Sequence, residues 1–220
     1  MTTTKRLLDA VAEIWEGYHK HPFILGIAEG TLDPEKFRFY MVQDYVYLFD
    51  YARVFALGVV KAKEADTMRS FAVYVHQILD GEMNLHRSYM KRLGIDLHEA
   101  ETADCALANT SYTAYMLDVA FKEGEAEIAA AILSCALSYE IIARKIIENN
   151  PDSVTHPFYG EWIQSYASAE YHTANEALID LTNRLTVGYS EAQMQHLCEI
   201  FVNCSRYEAM FWDMAWEMEL

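Results

Sequence analysis

Three short stretches of the chain set ionisable or nucleophilic side chains among aromatic neighbours. In Gln43-Asp44-Tyr45-Val46-Tyr47-Leu48-Phe49 and on to Tyr51, the residues Asp44, Tyr47 and Tyr51 stand at i, i+3 and i+7, one face of a helix. A carboxylate there can bind the amino and ring-nitrogen edge of a heterocycle whose flat surface stacks on tyrosine. The same spacing also describes a solvated helix edge with half-buried tyrosines. In Ala131-Ile-Leu-Ser-Cys135-Ala-Leu-Ser-Tyr139-Glu140, Cys135 and Tyr139 lie one turn apart on an apolar stripe. A cysteine attacks as the thiolate, so catalysis requires a base or polarising group from another helix; without one, Cys135 is a small buried hydrophobe. In Arg206-Tyr207-Glu208-Ala-Met-Phe211-Trp212-Asp213-Met214-Ala215, Glu208 is surrounded by aromatics. If they enclose it, desolvation raises its pKa towards neutrality and suits it to general acid–base work. If the aromatics alone face inward, Glu208 is a surface glutamate.

The elements that must position these groups read as helices throughout. Prolines occur only at 22, 34, 151 and 157, leaving 116 proline-free residues from 35 to 150, so long helices are permitted. Leu7, Val11, Ile14 and Tyr18 keep the rhythm of one helical face, not the alternation of a strand. Asp33-Pro34 supplies an N-cap oxygen and a first-turn proline for a helix to about residue 62. Asp66 is expected to cap a second, stopping near Gly94 in a left-handed C′ conformation. Further helices are predicted over roughly 109–122, 125–149, a short one from Pro157 to about 167, 169–186, and a last one to about 218 opened by the capping box Ser190-x-x-Gln193. His21-Pro22 separates the first helix from a short segment ending near Gly30. No joint is long or rich in Pro, Gly and Ser, and no repeat recurs at fixed period. Residues 1–220 are therefore expected to form a single all-α helical bundle, since one-sided helices must pack side by side to bury their apolar stripes.

Composition narrows the function classes. The 220 residues are 52% hydrophobic and carry a formal net charge of −16, a globular composition whose anionic surface repels nucleic acid and anionic membranes. Neither is an expected partner. The apolar runs, such as 54–60 and 128–133, are far shorter than a bilayer span. The N-terminal residues carry no export pattern, so the expectation is a soluble cytoplasmic protein. Cys105, Cys135, Cys198 and Cys204 form no CxxC pair and read as free thiols. Glu82 with His86, Glu140, and His172 with Glu176 imitate the carboxylate and imidazole supply of a di-metal bundle site. That set is incomplete, because Tyr89 and Ile179 occupy the positions where a further histidine belongs. His19 and His21 are candidate haem ligands only as lone histidines.

Taken in order, the motifs resemble the TenA family (thiaminase II, aminopyrimidine aminohydrolase). They are His21-Pro22-Phe23 with Gly26-Ile27-Ala28-Glu29-Gly30-Thr31-Leu32, Phe37-Arg38-Phe39-Tyr40 with Gln43-Asp44, Glu82-Met83-x-Leu85-His86, and Tyr112-Thr113. Cys135 with Tyr139, His156-Pro157 with Tyr159 and Trp162-Ile163, and Tyr207-Glu208 with Phe211-Trp212 and Met214-Ala215 complete the set. The resemblance implies a haem-oxygenase-like all-α fold assembled as a homotetramer. It also implies cofactor-free, metal-free hydrolysis of 4-amino-5-aminomethyl-2-methylpyrimidine, and of thiamin, to the hydroxymethylpyrimidine. It makes Cys135 the nucleophile, Glu208 the acid/base and Asp44 the carboxylate on the aminopyrimidine edge, with Tyr47, Tyr112, Tyr139 and Tyr166 as pocket aromatics. The sequence departs from the family pattern beside the nucleophile, where Ser134 replaces a frequent proline and Ala136-Leu137-Ser138 a more aromatic run. Two rival readings are a di-metal oxidase on the same scaffold and a non-catalytic pyrimidine-binding accessory protein.

Overall fold

The computed structural model describes residues 2–220, and among them there is no strand. The helices are α1 (Thr3–Tyr18), α2 (Pro22–Glu29), α3 (Pro34–Lys61), α4 (Ala65–His76), α5 (Met83–Leu93), α6 (Leu97–Glu101), α7 (Leu107–Lys122), α8 (Glu125–Asn149), α9 (Gly160–Tyr166), α10 (Ala169–Leu185) and α11 (Glu191–Glu217). A π-helical turn, Gln77–Glu82, joins α4 to α5, and a 3₁₀ turn, Pro151–Thr155, follows α8.

The long helices α3, α7, α8 and α11 pack pairwise against one another, α1 lies on α11, α4 on α3 and α10 on α8. One continuous apolar core results. α8 is its axis: residues 128–135 are all buried. By length and composition α8 is apolar enough to cross a membrane, contrary to the reading from short apolar runs. Yet 83% of its most apolar stretch is buried within the bundle, and that burial accounts for its composition.

Local chemistry sets most boundaries. The Asp33 side chain accepts from the Glu35 N–H with Pro34 in the first turn, and Ser190 and Gln193 form the reciprocal capping box. Gly94 ends α5 at φ 67°, a left-handed conformation that glycine adopts without the Cβ penalty. At Gly58 the issue is space instead, because a Cβ there would come within 2.5 Å of the Phe71 ring and push α4 off α3.

Three expectations are corrected. Asp66 is not an N-cap: α4 begins after Glu64 without a side-chain cap, and Asp66 in the first turn accepts from Arg69 instead. The region from 66 to 94 is not one regular helix but passes through the π-helical turn. Pro157 does not open a helix either; its segment is a turn, and α9 starts at Gly160. There the His156 ring Nδ1 accepts from the Phe158 and Tyr159 N–H groups, stabilising the turn.

Candidate active site

The seven residues singled out by motif are all buried, and five helices contribute them. α3 supplies Asp44 and Tyr47, α7 Tyr112, α8 Cys135 and Tyr139, α9 Tyr166 and α11 Glu208. Asp44 is therefore no solvated helix edge, and Glu208, at 2% exposure, is no surface glutamate.

Aromatic packing links them. Tyr47 sits between Tyr51 (5.2 Å between ring centroids) and Tyr112 (5.4 Å), and Tyr139 between Tyr166 (4.7 Å) and Trp212 (5.2 Å). Phe211 meets Tyr47 edge-on at 5.8 Å. The i, i+3, i+7 and i, i+4 spacings of α3, α8 and α11 aim these rings inward, and mutual tilting lets them pack densely.

Asp44 is held on one side only. Its Oδ2 accepts from the Tyr40 hydroxyl at 3.1 Å and lies 2.6 Å from His86 Nε2. His86 Nδ1 is 2.9 Å from the Glu82 carbonyl oxygen. Both ring nitrogens thus face acceptors, an arrangement satisfied when both carry protons. Burial opposes a charge on this imidazole, but the hydrogen bond and the charge of Asp44 outweigh it and raise the His86 pKa. His86 is consequently the partner that fixes Asp44. This role escaped the sequence, where spacing from Glu82 suggested a metal ligand; its one signal was its place in the Glu82-Met83-x-Leu85-His86 motif.

Glu208 is poised differently. Burial, followed by the charge of Asp44, pushes its carboxyl up to about 8, while Tyr112, Cys135 and Tyr139 beside it favour the anion. No hydrogen bond of regular geometry reaches its Oε2, nor the Tyr112 hydroxyl or Trp212 Nε1. Burial and the neighbouring Glu208 also drive the Cys135 thiol well above its ordinary range, with Tyr47 opposing. The resting pair is thus a thiol beside a carboxyl that holds its proton near neutrality, a pair able to exchange protons with a bound base as a covalent bond forms.

The proposed di-metal donors are not brought together. His86 is engaged by Asp44, while Glu140 is taken up by His172 (2.7 Å), Asn175 (2.6 Å) and Arg144 (2.7 Å). Among the described residues no three His, Cys, Asp or Glu side chains are placed to share a metal. His21, one of the two haem candidates, caps α2 by accepting from the Phe23 N–H.

A bundle of this connectivity around a buried thiol, carboxyls and tyrosines defines a class of small-molecule enzyme scaffold, and comparison with known proteins agrees. Residues 8–218 match the TENA/THI-4/PQQC family model, and the chain belongs to that family. It is 43% identical to the aminopyrimidine aminohydrolase of Helicobacter pylori, over 99% of this chain and 100% of the relative. Its structure is similar to that of the TenA homologue from P. horikoshii OT3, with a TM-score of 0.89 and 30% identity over 99% of each chain. A domain of unknown function with a heme oxygenase-like fold from Shewanella denitrificans shares the architecture, at TM-score 0.79 and 15% identity over 98% of this chain and 92% of that one. The fold is therefore haem-oxygenase-like.

Proposed function

We propose that the protein is an aminopyrimidine aminohydrolase of thiamin salvage. It cleaves the C–N bond between the pyrimidine methylene and its amine in 4-amino-5-aminomethyl-2-methylpyrimidine, with thiamin as a second substrate, and releases the hydroxymethylpyrimidine. One observation carries this reading: Cys135, Glu208 and Asp44 meet within one buried aromatic cluster in a chain 43% identical to a protein of that name.

Asp44, steadied through Oδ2 by His86 and Tyr40, offers its other oxygen to the amino-pyrimidine edge, and Tyr47, Tyr112, Tyr139 and Tyr166 enclose the ring. Glu208 gives its proton to a ring nitrogen as Cys135 Sγ bonds to ring carbon, and the thiol's proton passes to the departing amine or, with thiamin, to solvent. The ring's electron pair then moves outward, the methylene C–N bond breaks and the amine leaves with that bond's electrons. Water adds to the exocyclic methylene, losing a proton to Glu208. The C–S bond breaks with its electrons on sulfur, the ring nitrogen's proton returns to the sulfur, and aromaticity and the thiol are restored. A thiol that ionises only as the ring becomes an acceptor suits Cys135, whose burial opposes a free thiolate. The chemistry uses side chains alone, without metal or organic cofactor.

We further propose a cytoplasmic homotetramer. Four free cysteines suit a reducing compartment, and exposed Val60, Leu107, Phe121 and Val187 offer apolar surface for subunit contacts. Light scattering that gives a monomer would remove the assembly.

The reaction is tested by incubating the protein with each substrate and following hydroxymethylpyrimidine. Cys135→Ala is expected to lower turnover by at least about 10³-fold, the scale on which loss of a nucleophile acts. Unchanged turnover would remove the nucleophile and the mechanism with it.

A further inference from the structure

The reaction as drawn leaves one cavity unused. About 310 Å³ in volume, it is bounded by Tyr51, Glu82, Ala136, Tyr166 and Tyr171, with exposed Glu170 also on its wall. Three of these adjoin the candidate active site: Ala136 follows Cys135, Tyr51 packs on Tyr47, and Tyr166 packs on Tyr139. The cavity therefore lies next to the candidate site, and Glu82 on its wall is near enough for its charge to oppose ionisation of Cys135.

Glu82 is an unusual wall residue. It ends the π-helical turn, whose wider winding sets it apart from the regular helix on either side. Its Oε1 accepts from the Tyr166 hydroxyl at 3.1 Å, and none of the described residues donates to its Oε2. Whereas His86 one turn on is sealed, Glu82 keeps partial exposure and borders the cavity. Burial is the chief reason its pKa rises to about 7, so an arriving cation would hold it ionised.

We propose that this cavity is the leaving-group subsite of the reaction, and that Glu82 selects substrates whose leaving group carries positive charge, either an ammonium or a ring-sized azolium cation. This rests on the reading of the reaction given above. The volume matches a small heterocycle. Four tyrosines (Tyr51, Tyr74, Tyr166 and Tyr171) and a carboxylate line it, groups suited to receive a cation, and His86, one turn from Glu82, is already engaged by Asp44. Cleavage takes the positive charge off the pyrimidine: the leaving nitrogen regains the bond's electron pair, and the alcohol product is neutral. Glu82 accordingly holds substrate and not product, which makes it a determinant of KM rather than kcat.

The test is Glu82→Gln, assayed with thiamin and with the aminomethylpyrimidine. KM for thiamin is expected to rise at least about 10-fold, as loss of a charge-assisted contact implies, with kcat and inhibition by hydroxymethylpyrimidine unchanged. A fall in kcat, an unchanged KM, or an equal loss of product affinity overturns the proposal. Calorimetry on the unaltered protein, saturated with hydroxymethylpyrimidine, removes any dependence on how the variant folds. An N-methylthiazolium cation should bind at least about 10-fold more tightly than the uncharged thiazole of the same shape, and equal affinities overturn the subsite. If the unaltered protein cleaves neither substrate, the reaction is refuted, while the calorimetry still decides whether the cavity prefers cations.

Discussion

Two adjacent turns of α11 treat their buried polar groups in opposite ways. At Ser205 everything is paired: its Oγ accepts from Trp15 Nε1 at 3.0 Å and lies 2.9 Å from Ser134 Oγ, while its carbonyl accepts from the Tyr18 hydroxyl. One turn on, among the described residues no hydrogen bond of regular geometry reaches Glu208 Oε2, the Tyr112 hydroxyl or Trp212 Nε1, although Tyr112 stands close enough to Glu208 to favour its anion. These are half of the six such buried atoms among the described residues. An unpaired buried polar group costs about 1–3 kcal/mol, so their concentration beside Cys135 is a stability deficit located where a polar substrate would relieve it. The contrast separates a frame that fixes helix positions from a chamber kept short of bonds.

The sharpest way to break this contrast is Glu208→Gln, which keeps the shape and removes the titration. If the deficit serves proton transfer, kcat should fall at least about 10²-fold, whereas a loss confined to KM would make Glu208 a binding group. Stability should move the other way. The carboxyl titrates near 4.5 when unfolded and at about 8 when folded, so the native state holds the extra proton between those values. Its stabilising contribution is complete below the lower value and is lost as pH rises through the upper one. Urea titrations at pH 8 should find the glutamine variant more stable by about 1–3 kcal/mol. Glu82 and His86, both shifted upward, leave it a weaker slope of the same sign.

On the paired turn the expectation reverses. Ser205→Ala strands the Trp15 indole N–H and the Ser134 hydroxyl in the core, and should destabilise by about 2 kcal/mol, the scale of such desolvation. Because Ser205 precedes Glu208 by three residues and Ser134 precedes Cys135 by one, the loss should also loosen the spacing between α8 and α11. A several-fold fall in kcat with unaltered pH profile would mark a positioning effect, and an altered profile would place Ser205 in the proton path.

What the sequence disclosed follows the same division. Proline placement, capping residues and apolar periodicity are local, and they foretold the long helices and the inner stripe carrying Cys135, whereas the inward placement of Asp44 and Glu208 depended on how the helices pack. The family resemblance added Tyr112 and Tyr166, which no local spacing ties to the others. The π-helical turn was hidden because apolar spacing from 65 to 93 continues across it, and α6 because five residues hold too little of a pattern. His86 was misread because its partner lies 42 positions away; Glu82, one turn before it, offered a more obvious companion. Ser205 gave no signal at all, since its value lies in Trp15, 190 positions distant.

The smallest test asks whether the frame needs every bond. Ser134→Ala removes the hydroxyl beside Ser205 but leaves the Trp15 indole paired, so only the bond between the two serines is lost and the volume change is slight. The cost should stay at about 0.5–1.5 kcal/mol, the net worth of one neutral hydrogen bond, read as a shift in the urea midpoint without a change in m. Cys135 is the next residue along α8, and the helix backbone alone should hold it in place. Turnover close to the unaltered value would confine the positioning role to the Ser205 side. A fall as large as that of Ser205→Ala would show instead that the bond between the two serines sets the distance from sulfur to carboxyl.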